Sequence, residues 1–206
     1  MSKLQVSIVK CKSYQPDELA EKIKEALGLI GGMEKFIRPG SKVLVKPNLL
    51  MAASPDAAIT THPEFVRQVL RLLKGISCRI YLGDGPSVFG SQMENIIKVY
   101  EQTGIRKMAE EEAVELVTFD KRYMNGYFPL AQYVKDCDYV LNIPKFKTHE
   151  YMILTGAVKN LFGLIPGTFK LECHKNFHQP ERFAEMLLDV YAAVKPALSI
   201  VDGITG

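Results

Sequence analysis

Lys145, Lys147, Thr148 and His149 crowd into five residues directly after a short apolar stretch, Asp138 to Ile143, which Pro144 brings to an end by removing a backbone donor. Shortly downstream, Thr155-Gly156 leads into an apolar helical run that carries Lys159 and Asn160. Lys46-Pro47-Asn48 repeats the arrangement near the start of the chain: an apolar run, a lysine, then a break. These residue types suit a small anion. Lys46, Lys145, Lys147 and Lys159 would hold its charge, and Asn48, Thr61, Ser87, Thr148 and Asn160 would add neutral hydrogen-bonding groups. His149 and His62 are the candidates for proton transfer, because imidazole titrates near neutral pH and nearby cations favour its neutral form. For His62, at a helix start, capping is the simpler role. Lys159, on an apolar helix near other cations, could act as a base or an imine-forming nucleophile, or could snorkel from a buried face.

Such a cluster needs a counter-charge. Two ammonium groups ~7 Å apart repel by roughly 2 kcal/mol at an effective dielectric of about 20, and four of them make six such pairs. Asp84, Glu150 and Asp202 could neutralise part of this, with Asp84 and Asp202 orienting the cations or binding a metal, and an anionic ligand could complete it. Each lysine could equally be a solvated surface charge; their common placement after strands is what favours convergence.

Cys173, His174 and His178 form a second compact group, with the histidines at the i, i+4 spacing that shares a metal on a helix. No carboxylate falls at a matching spacing. No GxGxxG follows a strand, no GxxxxGK[ST] occurs, and no GxSxG is present, so the standard dinucleotide, P-loop and nucleophile-elbow sites are not supported.

The elements that must position these residues alternate between periods of two and 3.6. Strands are expected at Leu4 to Val9, Lys42 to Lys46, Cys78 to Leu82, Val114 to Phe119, Asp138 to Ile143 and Ala197 to Val201. Helices are expected after Asp17 (Leu19, Ile23, Leu27, Ile30), after Thr61 as a cap (Phe65, Val66, Val69, Leu70, Leu73), from Met93 through Ile96, Ile97 and Tyr100 to Gly104, then an acidic helix through Glu112, and along Phe183, Met186, Leu187, Val190 and Tyr191. Arg122 to Leu130, with Asn125-Gly126 at its middle, signals a small hairpin. The alternation predicts an α/β fold: a mostly parallel, Rossmann-like sheet with helices on both faces. Right-handed crossovers would bring Lys46-Pro47-Asn48, Gly83-Asp84-Gly85, Pro144-Lys145 and Asp202-Gly203 to one rim, outside the carboxyl ends of the strands.

With 206 residues, 47% hydrophobic and 24% charged, the chain can bury a sizeable core, and residues 1–206 are expected to form a single α/β domain. A net charge of +3 with no basic tract excludes a nucleic-acid partner by the usual electrostatic criterion. The absence of a long apolar run or a signal-peptide pattern leads to the expectation of a cytoplasmic protein with no membrane partner. Cys11, Cys78, Cys137 and Cys173 form no CxxC pair, so neither a disulfide scaffold nor a self-contained cluster site is indicated.

Val43-Leu44-Val45-Lys46-Pro47-Asn48-Leu49, Thr60-Thr61-His62-Pro63, Gly83-Asp84, Pro144-Lys145-Phe146-Lys147-Thr148-His149, Thr155 to Gly163 and Lys195-Pro196-Ala197-Leu198 through Val201-Asp202-Gly203 together resemble the domain-of-unknown-function 362 family. The resemblance spans nearly the whole chain in order, and the Lys-Thr-His and Lys-Asn-Leu-Phe-Gly blocks are its specific parts. It implies an association with ferredoxin-like segments that bind four-iron four-sulfur clusters beyond this region, hence a ferredoxin-like segment or partner, with no iron-sulfur cluster expected within this chain. It also implies a domain incomplete at its C-terminal end. Two readings result: an enzyme domain acting on a small phosphate or carboxylate, with a redox link as one form of it, or a non-catalytic module that docks an iron-sulfur or other partner protein.

Overall fold

The strand Lys42–Pro47 is buried from Val43 onward, because it lies in the middle of the sheet and is covered on both faces. It pairs in parallel with Arg79–Leu82 on one side and Tyr139–Ile143 on the other. Glu115–Leu116 continues the sheet beyond Arg79–Leu82, and Leu198–Ser199 continues it beyond Tyr139–Ile143, both in parallel. The computed structural model describes residues 5–85, 88–89, 92–93, 95–149 and 152–205.

Period-two alternation divides the core between the faces. Val43, Val45, Ile80, Leu82, Leu141 and Ile143 pack with Leu19, Ile23 and Leu27 of helix Pro16–Gly28, the apolar stripe of helix Pro63–Gly75, and Val99, Ile105 and Met108 of the helices Ile96–Gln102 and Ile105–Glu111. Leu44 and Val140, one residue out of step, pack on the opposite face with Leu161 and Leu164, with Phe183, Met186, Leu187 and Val190 of helix Pro180–Val194, and with Phe128 and Leu130. The expected hairpin is present as Arg122–Asn125 paired antiparallel with Phe128–Ala131.

Several local expectations differ. Residues 5–15 form no regular structure, although a first strand was expected at Leu4 to Val9; Val6 is 84% and Ile8 91% exposed. Alternation shows only that a segment can lie half-buried, and a strand also needs a neighbour, which this one lacks among the described residues. The cap of helix Pro63–Gly75 is His62, whose Nδ1 accepts the Glu64 N–H (3.1 Å), and not Thr61. Thr61 is instead a tie between strand ends: its hydroxyl donates to Ile143 O (2.8 Å) and accepts the Asn48 N–H (2.8 Å). Met93, expected in the next helix, pairs instead in a short antiparallel ladder, and the helix is Ile96–Gln102, capped by Asn95. A second hairpin, Lys147–His149 with Ile153–Thr155, and a helix at Phe169–Asn176 complete the structure. Among the described residues no helix is long and apolar enough to cross a membrane.

Helices Pro63–Gly75 and Ile105–Glu111 are joined by the buried Glu112, which accepts from Arg67 (3.1 Å), Arg71 (2.9 Å) and Lys74 (2.9 Å). Burial alone would raise its pKa, but these three cations together hold its carboxyl down at about 2. A carboxyl held below its unfolded value stabilises the fold above that value and loses the contribution as pH falls through the folded one. Urea unfolding at a series of pH values should show Glu112→Gln less stable than the parent near pH 6, with the two curves converging as pH falls from about 4.5 to about 2. Curves that remain parallel over that range would contradict the assignment.

Candidate functional site

Strand parity decides where the rim lysines go. Lys46 shares the parity of Leu44, and Asn142 that of Val140, so both enter the face covered by the turn Ala157–Asn160 and the 3-10 segment Leu161–Leu164. Lys46 is fully buried there, with Nζ 2.7 Å from Asp84 Oδ1, 2.9 Å from Pro47 O and 3.1 Å from Asn160 Oδ1. Asp84 also accepts the Leu49 N–H (2.8 Å) and the Gly85 N–H (2.8 Å). Asn160 is the hub beside them. Its Oδ1 also accepts from Asn48 Nδ2 (3.1 Å), and its Nδ2 donates to Asn142 Oδ1 (2.8 Å), while Asn142 Nδ2 donates to Ala157 O (2.9 Å) and Ser199 Oγ (3.0 Å).

Two glycines make room for this. A Cβ on Gly163 would overlap Asp84 Oδ1 and lie 2.6 Å from Lys46 Nζ. A Cβ on Gly85 would overlap Gly163 O and lie 2.9 Å from Lys170 Nζ. The chain passes so close to the ion pair that no side chain fits at either position.

Above the pair is a cavity of about 210 Å³ lined by Lys46, Asn48, Asp84, Lys147, His149, Thr155, Lys159, Asn160, Phe162, Lys170 and His174, among others. Four lysines thus share one space with a single carboxylate among the described residues. Lys147 and Lys159 are each lowered to about 8, chiefly by burial, then by neighbouring lysines. Lys170, enclosed by helix Phe169–Asn176, is lowered to about 8 by burial, with Asp84 opposing and Lys46 and Lys159 adding to the shift. Burial pushes Lys46 down as well, against the pull of Asp84. His149 is lowered to about 4 by burial and then by Lys159 and Lys147, so it is neutral at pH 7. Its Nδ1 accepts the Met152 N–H (3.2 Å), which puts the neutral ring's proton on Nε2. Lys147 donates to Ile59 O. Asn48 Oδ1 is buried at the cavity without a hydrogen-bond partner.

The sequence-based set therefore divides. Lys46, Asn48, Asp84, Lys147, His149, Lys159 and Asn160 line the cavity. Lys145, His62 and Asp202 do not: Lys145 has the parity of Leu141 and Ile143 and emerges on the other face. There its Nζ lies 3.2 Å from Asp202 Oδ2 and 2.7 Å from Tyr14 OH, which donates to Asp202 Oδ1 (2.8 Å). The His62 N–H donates to Asp202 Oδ2 (3.0 Å), and its ring stacks on Tyr14 at 3.8 Å. That group is a clasp on the arm 5–15, with its charges mutually satisfied. Thr148, between two cavity residues on a strand, is exposed, and Thr61 is occupied by the strand ends. Ser87 and Glu150 lie outside the described residues.

Cys173, His174 and His178 do not converge. Cys173 packs into the core, His174 stacks on Phe183 (4.7 Å) at the cavity wall, and the helix ends at Asn176, which breaks the spacing to His178. Among the described residues no group of three His, Cys, Asp or Glu side chains is placed to hold a metal ion. The four free cysteines do not fit an iron-sulfur cluster either, since Cys11 and Cys78 pack on one face of the sheet and Cys137 and Cys173 on the other. Sequence reasoning missed Lys170 and Asn142 as parts of the site. Asn142 carried a signal, a lone amide in the apolar run Tyr139–Ile143; Lys170 carried none.

Removing one member of a fully buried pair leaves the other uncompensated, at about 3–5 kcal/mol. Lys46→Met and Asp84→Asn should each destabilise by that order in urea unfolding, with the double variant less destabilised than the sum. Singles within about 1 kcal/mol of the parent would show that the pair is not what holds the strand ends together. Gly163→Ala should behave like the singles.

Residues 43–206 match the family described as "Domain of unknown function (DUF362)". The chain is also 35% identical over 206 residues to the thylakoid-associated protein sll1697 of Synechocystis sp., an alignment that covers 97% of this chain and 63% of that protein. The motifs that build the ion pair, its glycine clearance and the cavity all fall within the matched span, and the chain belongs to the DUF362 family.

Proposed function

We propose that the cavity binds a small dianion, a phosphate, short phosphate ester or short dicarboxylate, as the substrate of an enzyme domain. The observation that carries the reading is the charge imbalance: among the described residues, four lysines and one carboxylate line a recessed space. Three of those lysines are lowered toward neutrality by burial and mutual repulsion, the condition an anionic guest relieves. The volume, about 210 Å³, is below the ~300–1,000 Å³ of drug-sized sites, which favours a guest of few atoms. His149, neutral and on the cavity wall, is the proton carrier, and Asp84 holds Lys46 in place. Redox linkage through a ferredoxin-like partner, and a cytoplasmic setting, complete this reading. A docking module for an acidic protein partner is the weaker alternative, because its basic groups would need a broad exposed face and these are recessed.

Isothermal titration and thermal melts with inorganic phosphate, pyrophosphate and succinate test the reading. At least one of them should bind at pH 7 and raise Tm, and Lys147→Ala should weaken binding tenfold or more. The pH dependence has a definite sign. These lysines fall from 10.5 to about 8 on folding, so the unliganded fold binds fewer protons than the unfolded chain between those values and gains stability as pH rises through them. An anion restores the protons, so its stabilisation should be greatest below pH 8 and fade above it. No binding by any of the three, or binding unchanged in Lys147→Ala, would end the proposal.

A further inference from the structure

The lysines of the cavity are not equivalent. Lys46 is committed to Asp84, Asn160 and Pro47 O, and Lys147 donates to Ile59 O. Lys159 has no hydrogen-bond acceptor and no ion-pair partner among the described residues. Its Nζ is held between two rings, 5.6 Å from the centroid of Phe162 and 5.9 Å from that of Phe183. Both contacts lie at the outer edge of the ~6 Å range for cation–π attraction, so they stabilise the ammonium only weakly. An amine set against aromatic walls, short of acceptors and beside other cations, has little to keep it protonated.

We infer, on the basis of the anion-binding reading above, that Lys159 is a nucleophile that forms an imine with a small carbonyl compound carrying a carboxylate or phosphate group. The neighbouring arrangement supplies what the step needs. Lys147 and Lys170 line the same cavity and hold the anionic group, so the carbonyl is presented to Lys159, the amine held against the two rings. The Lys159 nitrogen lone pair adds to the carbonyl carbon, the C=O π pair moves to oxygen, and a proton passes from nitrogen to that oxygen, giving the carbinolamine. Loss of the hydroxyl with one further proton releases water and leaves the C=N bond. His149, neutral and on the cavity wall, is the group placed to relay these protons. No oxidant or reductant is consumed. Burial sets the Lys159 amine at about 8, so a substantial fraction is unprotonated at mildly alkaline pH, in contrast to an ordinary surface lysine.

The test is reductive trapping. The full chain is incubated with pyruvate, acetoacetate or dihydroxyacetone phosphate in the presence of cyanoborohydride, and the product is read by intact mass and peptide mapping. The expected result is a single secondary-amine adduct on Lys159 with at least one of these compounds, forming faster as pH rises toward 8. Lys159→Arg should reduce adduct formation at least tenfold, and mapping of the parent protein locates the site even if that variant folds poorly. Two results would overturn the inference: no adduct with any of the three, or adducts spread over lysines outside the cavity. Phosphate binding by the parent protein separates the two readings. Phosphate bound without trapping removes the imine step alone, and failure of phosphate and of all three carbonyl compounds to bind removes the anion site as well.

Discussion

The ion pair between Lys46 and Asp84 is the constraint from which the rest of the site follows. A charge at the end of a central strand, with no exposed surface, is tolerated only when every neighbouring group is turned toward it. Asp84 answers with a carboxylate already held by two backbone N–H groups, and Asn160 with an amide oxygen. Asn160 is in turn fixed by Asn142 on the next strand. The result is a chain of polar contacts running across the sheet at its carboxyl end, in a region that is otherwise core. The close passage of Gly163 and Gly85 is the steric counterpart of the same arrangement.

That network has an electrostatic consequence for what lies above it. Asp84 is bound by Lys46 and by backbone donors, and its pull on Lys147 and Lys170 does not offset what burial takes from them. Burial and neighbouring cations act on these lysines together, and the lowered pKa values of Lys147, Lys159, Lys170 and His149 express this. Protein interiors seldom keep such an imbalance without use, and a site that receives and releases a negative group is a use that matches its sign, its depth and its size.

Much of this was legible in the sequence. Alternating strand and helix patterns gave the parallel sheet, and breaks after strands brought Lys46, Asp84, Lys147, His149, Lys159 and Asn160 within reach of one another through the general geometry of open α/β sheets. What the rim argument lacked was parity. Counting by twos along Tyr139–Ile143 sends Lys145 to the face opposite Lys46, and along Lys147–His149 it sends Thr148 away from its neighbours. That count was available from the residues. Other parts were not: Lys170 arrives from a helix with almost no amphipathic pattern, and Tyr14 reaches Asp202 from an arm whose alternation imitates a strand. Long-range polar contacts of this kind leave no local trace in a sequence.

Tyr14 and Asp202 are 188 positions apart, yet they share a hydrogen bond, and Lys145 and His62 close on the same pair. The arm's nearer contacts, Ser7 to Ala26 O and Ser13 to Glu18, are local, and only the clasp reaches the far end of the sequence. Contacts of such wide separation form late, because the entropy of closing the loop must be met before any of them is gained. The arm's clasp therefore sets a few polar contacts and one ring stack against the entropy of closing nearly the whole chain into a loop.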